Sequence, residues 1–106
     1  MTLAEVIAAA ADQVPDIASS VASRSGDVSW SVDGQVFAVL AADGTSVAIL
    51  LDPVVADAAA RTPDVVASGR GPGWVELRPP LVDGHVADRA AAWFRSAHRR
   101  LSRPEA

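Results

Sequence analysis

The stretch that decides the fold is residues 28–52, VSWSVDGQVFAVLAADGTSVAILLD. It reads as three strands joined by two tight turns, Asp33-Gly34 and Asp43-Gly44. An Asp-Gly pair between apolar runs signals a hairpin, because both central residues tolerate positive φ. With a two-residue turn at Asp33-Gly34, Val32 lies opposite Gln35, Trp30 opposite Phe37, and Val28 opposite Val39. One face then carries Val28, Trp30, Val32, Phe37 and Val39. The other carries Ser29, Ser31, Val36, Ala38 and Leu40. The second and third strands are apolar on both sides, so they are expected at the centre of the sheet, with both faces needing cover. Helices can cover one face, and a partner chain the other.

Outward from this core, Thr2-Leu3-Ala4-Glu5 fits a capping box. Leu3, Ile7, Ala10 and Val14 recur at helical spacing until Pro15, which predicts a helix over about 3–13. Residues 15–27, PDIASSVASRSGD, read as a loop. Asp52-Pro53 suits a helix start, with Asp52 as cap and Pro53 in the first turn, and Thr62-Pro63 closes that helix near Arg61. Val65–Ala67 reads as a short strand. SGRGPG (68–73) is a loop, and Trp74–Arg78 alternates as a fifth strand cut by Pro79-Pro80. The last helix spans about 86–101. Val86, Ala90, Trp93, Phe94, Ala97 and Leu101 line one side of it, and Arg89, Arg95, Arg99 and Arg100 fall away from that side. Residues 102–106 are expected to fray. The expectation is one α+β domain over 1–106, an antiparallel five-stranded sheet with helices packed on it, in the order α-β-β-β-α-β-β-α.

Composition narrows the function classes. The chain has 106 residues, no cysteine and a net charge of −4. Thiolate chemistry and disulfides are therefore excluded. No apolar run is long enough for a membrane span, and Glu5 with no basic leader argues against a signal peptide, so a cytoplasmic location is expected. Charge is unevenly placed. Residues 1–60 hold eight acids against one base, Arg24, whereas residues 61–106 hold five acids against eight arginines. An acidic protein of this kind can still present a basic face.

The candidate chemistry is sparse. Gly69-Arg70-Gly71-Pro72-Gly73 lacks the Lys-Ser/Thr of a P-loop and precedes a strand, so it reads as a turn with Arg70 at its tip, within reach of a phosphate. Asp83, His85 and Asp88 form a D-x-H-x-x-D cluster, but a metal needs three or four convergent ligands, and the other histidine, His98, is about 20 Å along the helix. Capping and first-turn placement account for Asp83 and Asp88. There is no G-x-S-x-G, and the serines at 19, 20, 23 and 25 are spaced like loop residues. We expect no catalytic residues, no cofactor and no metal. Trp30, Trp74 and Trp93 are expected in the core. The arginines of the last helix admit two readings, a solvated face with cations near a helix C-terminus or a set of phosphate contacts.

The order of pieces resembles the MmcQ/YjbR-like family, small bacterial proteins with a frataxin (CyaY)-like α+β fold. The resemblance covers about residues 28–101. It rests on Trp30-Ser31-Val32 before a tight turn, Gln35-Val36-Phe37-Ala38-Val39-Leu40, Asp52-Pro53, Thr62-Pro63, Gly71 to Trp74-Val75, Ala91-Ala92-Trp93 and Ala97-His98-Arg99-Arg100-Leu101. Gln35 stands where the family's strand has lysine, and Leu50 or Leu51 where a base is common. Family members are often described as DNA-binding. The resemblance implies a non-enzymatic protein that binds DNA weakly, with Arg70, Arg89, Arg95, Arg99 and Arg100 as phosphate contacts. The alternative is a protein-interaction module that uses the second apolar sheet face for a homodimer or a partner, with Ala38 and Ile49 in the contact. A weaker third option is a ligand or metal site at Asp83, His85 and Asp88.

Overall fold

The computed structural model describes residues 2–102. Helix α1 runs Leu3–Asp12 from the expected capping box. The Thr2 hydroxyl accepts from the Glu5 backbone N–H at 3.1 Å, and Glu5 Oε1 accepts from the Thr2 N–H at 3.0 Å. Two N–H groups that the first turn leaves open are thereby satisfied. Leu3, Val6, Ile7 and Ala10 are buried.

Residues 15–27 are not all loop. Ala18–Val21 forms a strand, β1, exposed along its whole length. It pairs antiparallel with β2 (Val28–Val32). Ser19 and Ser20 therefore lie in a strand. The sequence ASSV carries little apolar signal because β1 is an edge strand, held by its ladder to β2. Beyond it come β3 (Gln35–Leu40), β4 (Val47–Leu50), α2 (Pro53–Ala59), β5 (Val65–Ala67), β6 (Trp74–Leu77) and α3 (Gly84–Ser102). The sheet is antiparallel and six-stranded, in the order β1-β2-β3-β4-β6-β5. The α+β class holds, with six strands in place of five and β1 inserted ahead of the expected series. As expected, β3 and β4 occupy the centre.

The register of the β2–β3 hairpin differs from the straight ladder. Val32 pairs with Gln35 and Ser31 with Val36, but Trp30 pairs with Ala38, Ser29 with Val39 and Val28 with Leu40. Phe37 is the extra residue of a bulge, and a bulge shifts every later residue to the opposite face. Ala38 and Leu40 therefore join Trp30 and Val32 in the core, and Val39 moves to the other face. The neighbouring strands repeat this division. Val47, Ile49, Val75 and Leu77 point to the core, while Ala48, Leu50, Trp74 and Glu76 form the opposite rows. Ala38 and Ile49, expected in a partner contact on the second face, are core residues with 0% and 1% exposure.

The three helices of the described residues pack on one face. Helix α3 lies over β2, β3 and β4 and beside α1, and α2 touches β6. The centre is aromatic. Phe94 of α3 meets Phe37 at 5.1 Å and Trp30 at 5.6 Å between ring centroids, both edge-on, the arrangement that aromatic quadrupoles favour. His98 completes this layer. It is 5% exposed, and its Nε2 lies 2.7 Å from the Pro15 carbonyl oxygen. A carbonyl only accepts, so Nε2 carries a proton and donates. That bond ties the end of α3 to the turn after α1. Among the described residues, the opposite face of the sheet carries no helix.

Helix α2 keeps its expected start. Asp52 Oδ1 accepts from the Val54 N–H at 3.1 Å with Pro53 in the first turn, and the helix ends at Ala59, two residues before the expected Arg61. Helix α3 starts at Gly84, two residues earlier than expected. Ser102, expected in the frayed tail, is its last residue, and 103–106 lie outside the described residues. Among the described residues no helix is long and apolar enough to cross a membrane.

Candidate nucleic-acid interface

Helix α3 is the element that can carry a basic site, because its own pattern orients it. Val86, Ala90, Phe94, Ala97 and His98 are buried, which turns the arginines away from the sheet. Arg89 to Arg100 spans about 16 Å at 1.5 Å per residue. The four arginines differ in setting. Arg89 is half-buried in the groove between α2 and α3, with its guanidinium 6.0 Å from the Trp93 ring centroid and one nitrogen 2.7 Å from His85 Nε2. Arginine only donates, so His85 Nε2 accepts. Arg95 lines the groove between α1 and α3, where Glu5 and Asp88 also lie. Arg99 and Arg100 are exposed in the last helical turn, beside Ser96 and Asp52. Arg100 Nε is 4.0 Å from Asp52 Oδ2 with both side chains largely exposed, a pair of little energetic weight. Among the described residues, Arg95 and Arg99 have no carboxylate within ion-pair distance.

Arg70, grouped with these four by the sequence, lies on the other side of the sheet. Its guanidinium sits 5.6 Å from the Trp74 ring centroid, and it borders a depression with Val36 and Val39. The five arginines therefore divide into a ridge of four on α3 and a single one on the open sheet face. Trp30 is in the core as expected, and Trp93 packs against its rim. Trp74 is not in the core. It is half-buried on the open face, opposite Leu50 in the ladder. The sequence held a signal for this, since Glu76, two residues on and so on the same face, marks an outward row.

The GRGPG segment forms the expected turn. Arg70 N–H donates to Ser68 Oγ at 3.4 Å and Trp74 N–H to the Gly71 carbonyl at 3.3 Å, so these donors are used within the loop. Asp83 caps α3, with its Oδ1 accepting from the Val86 N–H at 2.9 Å. Asp88 falls in the second turn, not the first, because the helix begins at Gly84. Among the described residues no three His, Asp or Glu side chains are placed to hold a metal ion. No family model and no curated protein matches the chain.

Proposed function

We propose that this chain is a non-enzymatic binding protein of the MmcQ/YjbR-like kind that contacts DNA phosphates weakly through Arg89, Arg95, Arg99 and Arg100 of α3. The observation that carries the reading is the arginine ridge of α3, with Arg99 and Arg100 exposed at its end and Arg89 and Arg95 half-buried in the grooves on its two flanks. Cations near a helix C-terminus are favourably placed in the free protein, and their long side chains can reach a backbone that presents one charge per about 1.7 Å of duplex axis. The element order from β2 to α3, β-β-β-α-β-β-α, is the order that the resemblance implies over the same residues.

The footprint excludes Arg70, which the sheet separates from α3. Four contacts in an acidic protein make binding weak, sequence-independent and salt-sensitive. The test compares two variants in duplex binding by fluorescence anisotropy. Arg95→Ala/Arg99→Ala/Arg100→Ala is expected to lose binding, and Arg70→Ala to keep it. Unchanged binding in the triple variant would remove the ridge as the site.

A further inference from the structure

We propose that the depression on the open sheet face binds a small aromatic carboxylate, its ring stacked on Trp74 and its carboxylate held by Arg70.

The depression holds about 380 Å³, within the range of small-molecule sites. Its floor is Val36, Val39 and Ser29, from the β2–β3 rows that face away from the helices. One wall is the turn between β1 and β2. There Ala22 N–H donates to the Asp27 carbonyl at 2.9 Å and Gly26 N–H to the Ala22 carbonyl at 2.8 Å. Asp27 Oδ1 accepts from the Ala42 N–H at 3.0 Å, which pins this turn to the one between β3 and β4. The other wall is the loop 68–73 with Trp74. Leu51 N–H donates to the Gly73 carbonyl at 2.8 Å. Gly73 has φ of 82°, and a Cβ built on it would lie 2.7 Å from the Leu51 carbonyl oxygen. Only glycine allows that approach. Hydrogen bonds within the chain therefore hold both walls in place before any ligand arrives, which lowers the ordering cost of binding.

The lining chemistry selects the ligand. Trp74 is half-buried beside an aliphatic floor, with the Arg70 guanidinium 5.6 Å from its ring centroid, so one ligand carrying a flat ring and an anionic group meets both side chains. Two charged groups border the space, Arg70 and Asp27. Asp27 has one oxygen engaged by Ala42, and its charge opposes anions at its own end. Arg70 has no carboxylate within ion-pair distance among the described residues, and its planar fork matches a carboxylate in two parallel hydrogen bonds. A single negative charge pairs with Arg70 and meets less repulsion from Asp27 than a phosphate dianion does.

The probe is 2-naphthoate, titrated into the ¹⁵N-labelled full chain at neutral pH, with the Trp74 indole N–H signal assigned from Trp74→Phe. The expected result is a saturable shift of that signal and of the Val36 and Val39 amides. The Kd should be on the order of 1 mM, which is what about thirteen heavy atoms give at ordinary ligand efficiency. Arg70→Ala, at an exposed position, should weaken binding at least tenfold, and Arg70→Lys should restore part of it. Any of the following results overturns the proposal. These are no shift up to about 10 mM, an equal shift with neutral 2-naphthalenemethanol, undiminished binding in Arg70→Ala, or the same signals moving with protein concentration alone. The last would assign the face to a second copy of the chain. Tighter binding of single-stranded oligothymidylate at these signals would assign it to nucleic acid instead.

Discussion

The bulge at Phe37 makes Leu40 and Val36 part company, and a pair of alanine substitutions measures the separation. A straight hairpin would put both side chains on one face and give them similar costs. In the structure Leu40 is 6% exposed within the core cluster, and Val36 is half-buried on the open face. Leu40→Ala removes three carbons from a closed core. At roughly 0.8 kcal/mol per buried methylene this is a transfer loss of about 2.4 kcal/mol, and the residual cavity extends the range to about 2–5 kcal/mol. Val36→Ala removes two carbons that already touch water, at a cost below about 1 kcal/mol. Unfolding in urea, followed by Trp fluorescence, reads both. With an m-value of roughly 1–3 kcal/mol per M, Leu40→Ala should lower the midpoint by about 1–2 M, and Val36→Ala by only a few tenths. The melting temperature should fall by at least ~8 °C for Leu40→Ala, at ~4 °C or more per kcal/mol. Equal losses at the two positions would refute the bulged register and return Leu40 to the open face.

Other expectations follow from single contacts. His98→Phe keeps the ring volume but leaves the Pro15 carbonyl without its 2.7 Å donor. It should cost about 1–3 kcal/mol by urea unfolding, and no loss would mean that water serves that carbonyl equally well. Gly73→Ala should cost more than about 1 kcal/mol and displace the Trp74 indole signal, because positive φ and the Leu51 carbonyl both oppose a Cβ; an unchanged spectrum would contradict the close approach. The Asp43 carboxylate is held below its usual pKa, first by the Thr45 backbone N–H at 3.0 Å and then by the Thr45 hydroxyl at 2.8 Å. A depressed folded pKa gives stability that is present above the unfolded value and lost as pH falls through the folded one. Asp43→Asn should therefore flatten the acid limb of the stability curve below about pH 4. An identical acid limb in the variant would remove Asp43 as a contributor.

Much of this fold can be read from residue types whose local chemistry leaves little choice. Thr2 with Glu5 starts α1, Asp52-Pro53 starts α2, and the two Asp-Gly turns set β2, β3 and β4. The bulge was hidden because the run Val36-Phe37-Ala38-Val39-Leu40 is apolar at every position. No alternation marks where the pleat changes face, and tertiary packing decides it. Strand β1 was hidden for the opposite reason. Its residues are polar or small and exposed, and backbone pairing to β2 defines it. The arginines of α3 were placed correctly relative to the core, since one helix obeys one period. The side of the sheet on which Arg70 lies is not legible in the sequence, because it depends on how Gly71 and Gly73, with φ of 127° and 82°, turn the loop. Backbone freedom of that kind leaves no pattern in side chains.

The most direct measurement of the central claim is the salt dependence of duplex binding. A labelled duplex of about 20 base pairs, titrated with the full chain at about 50 and about 200 mM salt, reports how many phosphates the ridge neutralises. Four contacts predict a log–log slope near −3.6 and so a loss of roughly 100-fold in affinity across that range. A salt-independent affinity, or no binding up to about 10⁻⁴ M at the lower salt, would contradict DNA contact through α3.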